Sequence, residues 1–495
     1  MSSPRITARH LNLGAVAIAG LLSGCADNGA ATPPGLPRTY AFESRFARGE
    51  SGVDHGGQTF RHVLLLELKD FMTGLTAAID AERLAPAAPG ELLAALDSYF
   101  AFDGDTRGAE RLSLATDPPL LQAVWSDLGA GRTLVEKVAG NDAVTDWQDF
   151  TGGAFAGWSD PEIARHGGRI DSPEGLIRAF FATLEAQAIA RVNGETARAA
   201  ASEELPVHVT PDGLDLAELT HKFTTCAVAF HQGADDYLDD DLAGKGLLSS
   251  NLLPAGDAPR WTELEHAWDE GFGYFGAARD FADYADAEVA GAGGRDGWSR
   301  GWHDTDGDGA IDLASEYNFG HAVNAAKRDL GARTGGETDF TGAAFEAFLA
   351  GRTLIHAAAG RELSAAELTE LKAHRDAAIG AWERAIAASA LHYINATLAL
   401  LVPGHPDYSH VKLAKAWSEL KGFTLCSQFN PHSSMSSEAF ATLHGHIGDA
   451  PVLAAAGEAA VEAYREQLRQ ARALIAEVWG FPAANVGDAD GANGW

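Results

Sequence analysis

The stretch SAAELTELKAHRDAAIGAWERAIAASALHYINATLALL, Ser364 to Leu401, decides the fold. Ser364 with Glu367 three residues later is a capping box: each side chain satisfies an amide that the first helical turn leaves open. Leu368, Leu371, Ile379, Trp382, Ile386 and Tyr393 then recur along one face at helical spacing. Nothing breaks the pattern before Pro403-Gly404. The spacing predicts one long helix ending near Leu401.

The same pattern recurs outward in both directions. After the extended or looped YAFESRF and SGVDHGGQT, FRHVLLLELKDFMTGLTAAI from Phe60 places Leu64, Leu68, Phe71, Met72, Leu75 and Ile79 on one apolar face. Ser172-Pro173-Glu174 is a helix start, with an N-cap serine, a proline at the first position and an acid in the first turn. LDLAELTHKFTTCAVAFHQGADDYL reads as helix after the turn His208–Gly213. Further helices are expected over His410 to about Phe429 and from about Glu458 to Trp479, the last stopped by Gly480 and Pro482. Sustained alternation of apolar and polar residues is scarce. The chain is therefore read as all-α, built of helical bundles. Its expected divisions are a signal peptide at 1–24, a tether at 25–39, an N-terminal bundle at 40–285, a Gly/Asp-rich segment at 286–335 and a C-terminal bundle at 336–495. The phrase His266-Ala267-Trp268-Asp269-Glu270 echoes Lys415-Ala416-Trp417-Ser418-Glu419. Such echoes suit two related halves and also arise by chance in an Ala-rich chain.

Compartment is read from the N-terminus. Arg5 and Arg9, an apolar run from Leu11 to Leu22, and Leu22-Ser23-Gly24-Cys25 make a secretory signal. The run is too short to span a bilayer. Leu-Ser-Gly-Cys resembles the bacterial lipobox, which implies lipidation of Cys25 and attachment to the cell envelope. Residues 26–39, ADNGAATPPGLPRT, then form a flexible tether. The full chain carries −32, and removing residues 1–24 takes away two arginines and no acid, leaving −34. That balance disfavours nucleic acid and anionic lipid as partners. Two cysteines remain, Cys226 and Cys426. An oxidising compartment invites a disulfide between them; two buried thiols are the alternative.

A metal site is expected in DTDGDGAIDLASEYNFGHAVNAAKRD, Asp304 to Asp329. Asp304, Asp306 and Asp308 alternate, Gly309 permits a sharp turn, Ala310 offers a carbonyl, and Asp312 follows. This is the opening of a calcium loop of the EF-hand kind, in which alternate carboxylates converge on one hard cation. Ser315 stands where the closing glutamate belongs, and Glu316 comes one residue late. An ion-free acidic turn is the alternative. The helix of EYNFGHAVNAAKRD is expected to leave the loop directly. Asn318, His321 and Asn324, three apart, either order the loop or form polar surface.

A second metal is considered at EHAWDEGFGYFG, Glu265 to Gly276. On a helix His266, Asp269 and Glu270 share a face, a spacing found in transition-metal helices. No HExxH motif supports it, and acids bonding crossing loops are the alternative. His432, His444 and His446 are weaker candidates. No phosphate loop or CxxC pair occurs.

Together, the lipobox, GQTFRHVLLLELK, DGLDLAEL, EHAWDEGFGYFG, the calcium-loop segment, AKAWSELKGF and the terminal VWGF resemble the bacterial lipoprotein family known as domain of unknown function 4856. That family is distantly similar to the imelysin-like proteins, helical envelope proteins linked to iron uptake. The resemblance implies a lipid-anchored, periplasm-facing or surface-exposed bundle that binds a ligand, metal or envelope partner. A metal-dependent, peptidase-like hydrolase using His266, Asp269 and Glu270 is the alternative.

Overall fold

The computed structural model describes residues 35–142, 150, 155–199, 203–255 and 260–495. The signal, Cys25 and most of the tether lie outside the described residues. About 54% of the chain is helical, and the described residues hold fourteen α-helices and no strand. The protein is all-α.

The first half contributes α1 (Gly56–Asp80), α2 (Glu91–Phe100), α3 (Gly104–Arg107), α4 (Pro173–Val192), α5 (Leu216–Thr225), α6 (Glu263–Phe275) and α7 (Asp286–Val289). The second contributes α8 (Gly320–Leu330), α9 (Phe340–Ala358), α10 (Ala365–Leu400), α11 (His410–Thr424), α12 (Ser437–Ile447), α13 (Glu458–Trp479) and α14 (Ala483–Val486). The caps fall where the residue types require them. Ser172 Oγ accepts from the Gly175 amide, and Ser364 and Glu367 form the reciprocal box at the head of α10. Gly480, at φ 61°, ends α13 in the left-handed region that favours glycine.

The long helix α10 is the axis of the packing, touching α8, α9, α11 and α13. Trp382 at its middle is fully buried among Phe230, Phe275 and His321. Most buried apolar residues from Tyr40 to Trp495 belong to one continuous cluster, with Leu205, Val209 and Ala414 in a small separate one, so both sequence halves feed the same core. Close approach of α6 to α9 depends on Gly351. A methyl there would lie 2.0 Å from the Trp268 ring, whose Nε1 donates to the Phe348 carbonyl at 2.8 Å.

Cys226 and Cys426 form a disulfide, with Cα atoms 5.2 Å apart. It joins the end of α5 to the turn after α11. Beyond α5 the chain does not continue as plain α-helix. It widens into two π-helical runs, Cys226–Phe230 and Gln232–Tyr237. None of the described helices is long and apolar enough to cross a membrane.

Candidate functional site

The acidic loop is closed at its base by antiparallel pairing of Trp302 with Tyr317. Asn318 donates its amide to Gly301 O at 3.0 Å, and its side chain bridges the Ala278 amide and the Gly301 carbonyl. Inside the loop the carboxylates order the backbone. Asp304 accepts from the amides of Gly307 and Gly309 at 2.8 and 3.0 Å. Asp306 accepts from Asp308, and Asp308 from Ala310. Gly307 and Gly309 sit at φ 75° and 87°, where a side chain would be strained. Glu316, 5% exposed, reaches across: one oxygen accepts from the Thr305 amide at 2.7 Å, the other from Asp312 at 2.9 Å. Asp304, Asp306 and Glu316 each bring an oxygen within 4.8 Å of the others. Three hard oxygens at that spacing fit one calcium ion with 2.3–2.6 Å bonds.

Two expectations about this segment change. The Asp312 carboxylate turns outward, accepting from Gln122 Nε2 at 2.7 Å, the Ala314 amide and Ser315 Oγ. It fastens the loop to the 119–122 segment, where Ile311 pairs with Leu120. The exiting helix starts at Gly320, because Glu316–Phe319 is held extended by its cross-loop bonds. Asn318 therefore precedes the helix and cannot share a helical face with His321 and Asn324. His321 is fully buried, its Nε2 3.9 Å from Cys226 Sγ, and burial lowers its pKa to about 3. It belongs to the core, away from the loop.

On α6 the three candidate residues separate. Asp269 is fully buried, accepting from Arg352 Nε at 2.7 Å and from the Tyr40 hydroxyl at 2.8 Å. Arg352, on α9 and equally buried, also binds Glu265 at 2.8 Å and the Gly52 carbonyl at 2.8 Å. His356 adds a contact to Glu265 at 3.2 Å. Despite burial, which raises it, Glu265 is brought down to about 2 by His356 and Arg352. The Asp269 carboxylate is thus committed to Arg352 and Tyr40. His266 and Glu270 face the other way, 3.8 Å apart, into a polar cleft of about 250 Å³.

A cluster missed in the sequence joins Asp239, Asp240 and His432. Arg375 lies 3.1 Å from Asp240, Lys372 pairs with Asp240, and His432 Nε2 is 3.1 Å from Asp239. Protein cations already balance these acids. Arg375 and the aspartates lie far apart in sequence, so no local motif announced them. His444 is buried against Lys421 Nζ at 3.2 Å and the Thr424 carbonyl at 3.3 Å. His446 is half-exposed. The three histidines are thus set in different surroundings.

Against known protein families, curated proteins and solved structures, the chain matches none. The family resemblance rests on the quoted motifs alone.

Proposed function

We propose that the protein is an envelope-anchored lipoprotein of the helical imelysin-like type, held to the membrane through Cys25 and binding a structural calcium ion. Its role is to bind a ligand or envelope partner, in the setting of iron acquisition that the resemblance suggests. What carries the calcium reading is the convergence of Asp304, Asp306 and Glu316 in a loop whose own amides pre-order all three carboxylates. An ion there would tie the loop to the turn after α6 through Asn318, which bonds Ala278 and Gly301. The hydrolase alternative loses a ligand, since Asp269 is engaged by Arg352.

Elemental analysis of protein purified without chelator tests the ion: one calcium per chain is expected, and none would overturn the site. The anchor is tested separately. Cys25→Ala is expected to release the protein from membranes or block its processing; unchanged membrane partition would overturn the anchor.

A further inference from the structure

Among the described residues, seven large apolar side chains are exposed, and scattered single ones are ordinary on any protein. Three of the seven are not scattered: Phe46, Leu252 and Leu253, exposed by 37%, 45% and 72%. Leu253 is the most exposed of the seven. The other four, Leu121, Leu242, Leu330 and Tyr408, stand on separate segments.

Phe46 sits at the tip of a hairpin, residues 42–52. Its arms pair through the Ser44 amide to Glu50 O at 2.8 Å and the Gly52 amide to Phe42 O at 2.7 Å. Ser44 Oγ accepts from the amides of Phe46 and Ala47 at 3.2 and 3.0 Å, and Glu43 accepts from Gly49 at 2.9 Å. The turn is thus fixed by its own side chains, with the Phe46 ring outward. Three contacts bring the leucines to the same end of the molecule. The Ser44 hydroxyl donates to the Arg260 carbonyl at 2.6 Å, beside the pairing of Pro254 with Thr262. Arg45 Nη1 reaches the Ala359 carbonyl at 3.4 Å, and the next residue, Gly360, donates its amide to Asn251 O at 2.9 Å. The end of α9 therefore joins the Phe46 tip to the residue before Leu252.

Neither tip carries an acid: Arg45-Phe46-Ala47-Arg48 and Leu252-Leu253-Pro254-Ala255 stand in a chain of net charge −32. Arg45 and Arg48 are exposed, and among the described residues neither pairs with a carboxylate. Apolar side chains flanked by arginines suit a bilayer surface: the apolar groups enter the acyl boundary and the guanidinium groups meet lipid phosphates. The acidic body favours zwitterionic lipid, whose headgroup also carries a phosphate. Reach agrees. Arg38, paired with Asp283 at 2.7 Å, is where the tether joins the body. The thirteen residues 25–37 span at most about 45 Å, and the eight steps from Arg38 to Phe46 at most about 28 Å. A bilayer holding Cys25 can therefore meet the Phe46 tip.

We infer that this end of the molecule is a membrane-docking face: Phe46, Leu252 and Leu253 insert at the surface of the bilayer that the lipid on Cys25 enters, with Arg45 and Arg48 on its phosphates. The anchor alone leaves the body free to swing on its tether. The second contact lays the body down and sets which side faces away from the membrane. The inference rests on reading the protein as a lipoprotein.

The test is co-sedimentation of the lipid-free mature chain, residues 25–495 with Cys25→Ala, with phosphatidylcholine vesicles. Weak partition that rises with lipid concentration is expected. Leu252→Asp with Leu253→Asp should lower the partition coefficient by about tenfold or more, and Arg45→Glu with Arg48→Glu should lower it severalfold. Leu330→Asp should leave it unchanged, because Leu330 precedes Gly331, which lies against Trp495 as the start of α9 does. All five positions are exposed, and helical circular dichroism checks that each variant is folded. No partition of the parent chain, partition untouched by the leucine pair, or an equal loss in Leu330→Asp would each overturn the proposal. So would a dimer in sedimentation equilibrium that the leucine pair dissolves, which assigns the face to a second copy of the chain. The intact mass of natively purified protein is read alongside. Cys25 without acyl chains would strike the lipoprotein reading, whereas acylated Cys25 with no partition of the lipid-free chain would strike only the docking face.

Discussion

Glu265 and Asp269 on α6, and Asp304, Asp306 and Glu316 in the loop, are both knots of acid in a strongly acidic chain, yet they are neutralised differently. The α6 pair is built around an internal cation. Arg352 is fully buried, forks to both carboxylates, and is fixed further by the Gly52 carbonyl. The loop acids accept from backbone amides. The consequence appears in Glu265 and Glu316. Glu265 is held well below the usual glutamate range, whereas burial pushes Glu316 up and its three amide donors only partly oppose. Amide dipoles orient carboxylates; they do not cancel their charge. A cluster that carries its own arginine is complete. On the proposed calcium reading, a cluster ordered by amides alone takes its cation from solution.

The largest effect is expected from taking the internal cation away. Arg352→Ala strands two buried carboxylates and should cost about 3–5 kcal/mol in denaturant unfolding. A loss under 1 kcal/mol would mean that the α6 acids are neutralised by something else.

Next is the external cation. Calcium at a hundredfold excess over its dissociation constant should stabilise the fold by about 2.7 kcal/mol. The double variant Asp304→Asn, Asp306→Asn should abolish the difference in melting temperature between calcium and chelator while leaving the helical circular dichroism in place. A calcium-induced shift that survives in this variant would place the ion elsewhere.

Acid sharpens the contrast more gently. Because Glu265 has a depressed pKa in the folded state, its contribution is fully present above the unfolded value near 4.5 and is lost as pH falls from 4.5 toward 2. Stability should therefore fall in that window by up to about 1.4 kcal/mol per pH unit from this group. The corresponding slope should be smaller in Glu265→Gln, compared by unfolding curves at each pH.

The smallest effect concerns Asp312. Its carboxylate bonds Gln122 and Ser315, so Asp312→Asn should keep calcium in elemental analysis and cost no more than about 1 kcal/mol. Loss of the ion would restore Asp312 as a ligand.

What was legible in the chain follows the same division between near and far. Helices with local signals emerged close to their true bounds: Ser172 and Ser364 cap their helices, and Glu458–Trp479 is one helix. These features depend on residues within a turn or two. The alternating aspartates and the two positive-φ glycines are local as well, so the calcium-like loop could be read. Glu316 comes one residue late in the sequence, and only the fold shows that the arm after Ser315 runs extended and brings its carboxylate near Asp304 and Asp306. The partner of Asp269 lies 83 residues away on α9, and nothing in EHAWDEGF announces it. Helical spacing put Asp269 beside His266, but an i,i+3 pair spans enough of the helix circumference to face two neighbours at once. The π-helical runs were invisible because Cys226–Tyr237 has ordinary helical composition; a register of five is chosen by packing rather than by propensity.

Tyr40 gives the α6 cluster a mechanical meaning. Its ring lies parallel on Phe272 at 3.8 Å and its hydroxyl is bonded to Asp269, and it stands where the N-terminal tether meets the body. On the proposed anchoring, any pull from the membrane enters the protein there. The tension passes first into a stacked ring and then, through Asp269 and Arg352, into α9 and the long helix packed on it. The mooring point is thus in the core instead of a surface loop. Drag on the body should extend the tether well before it disturbs the bundle, and Tyr40→Ala should lower the force at which the first helix peels away.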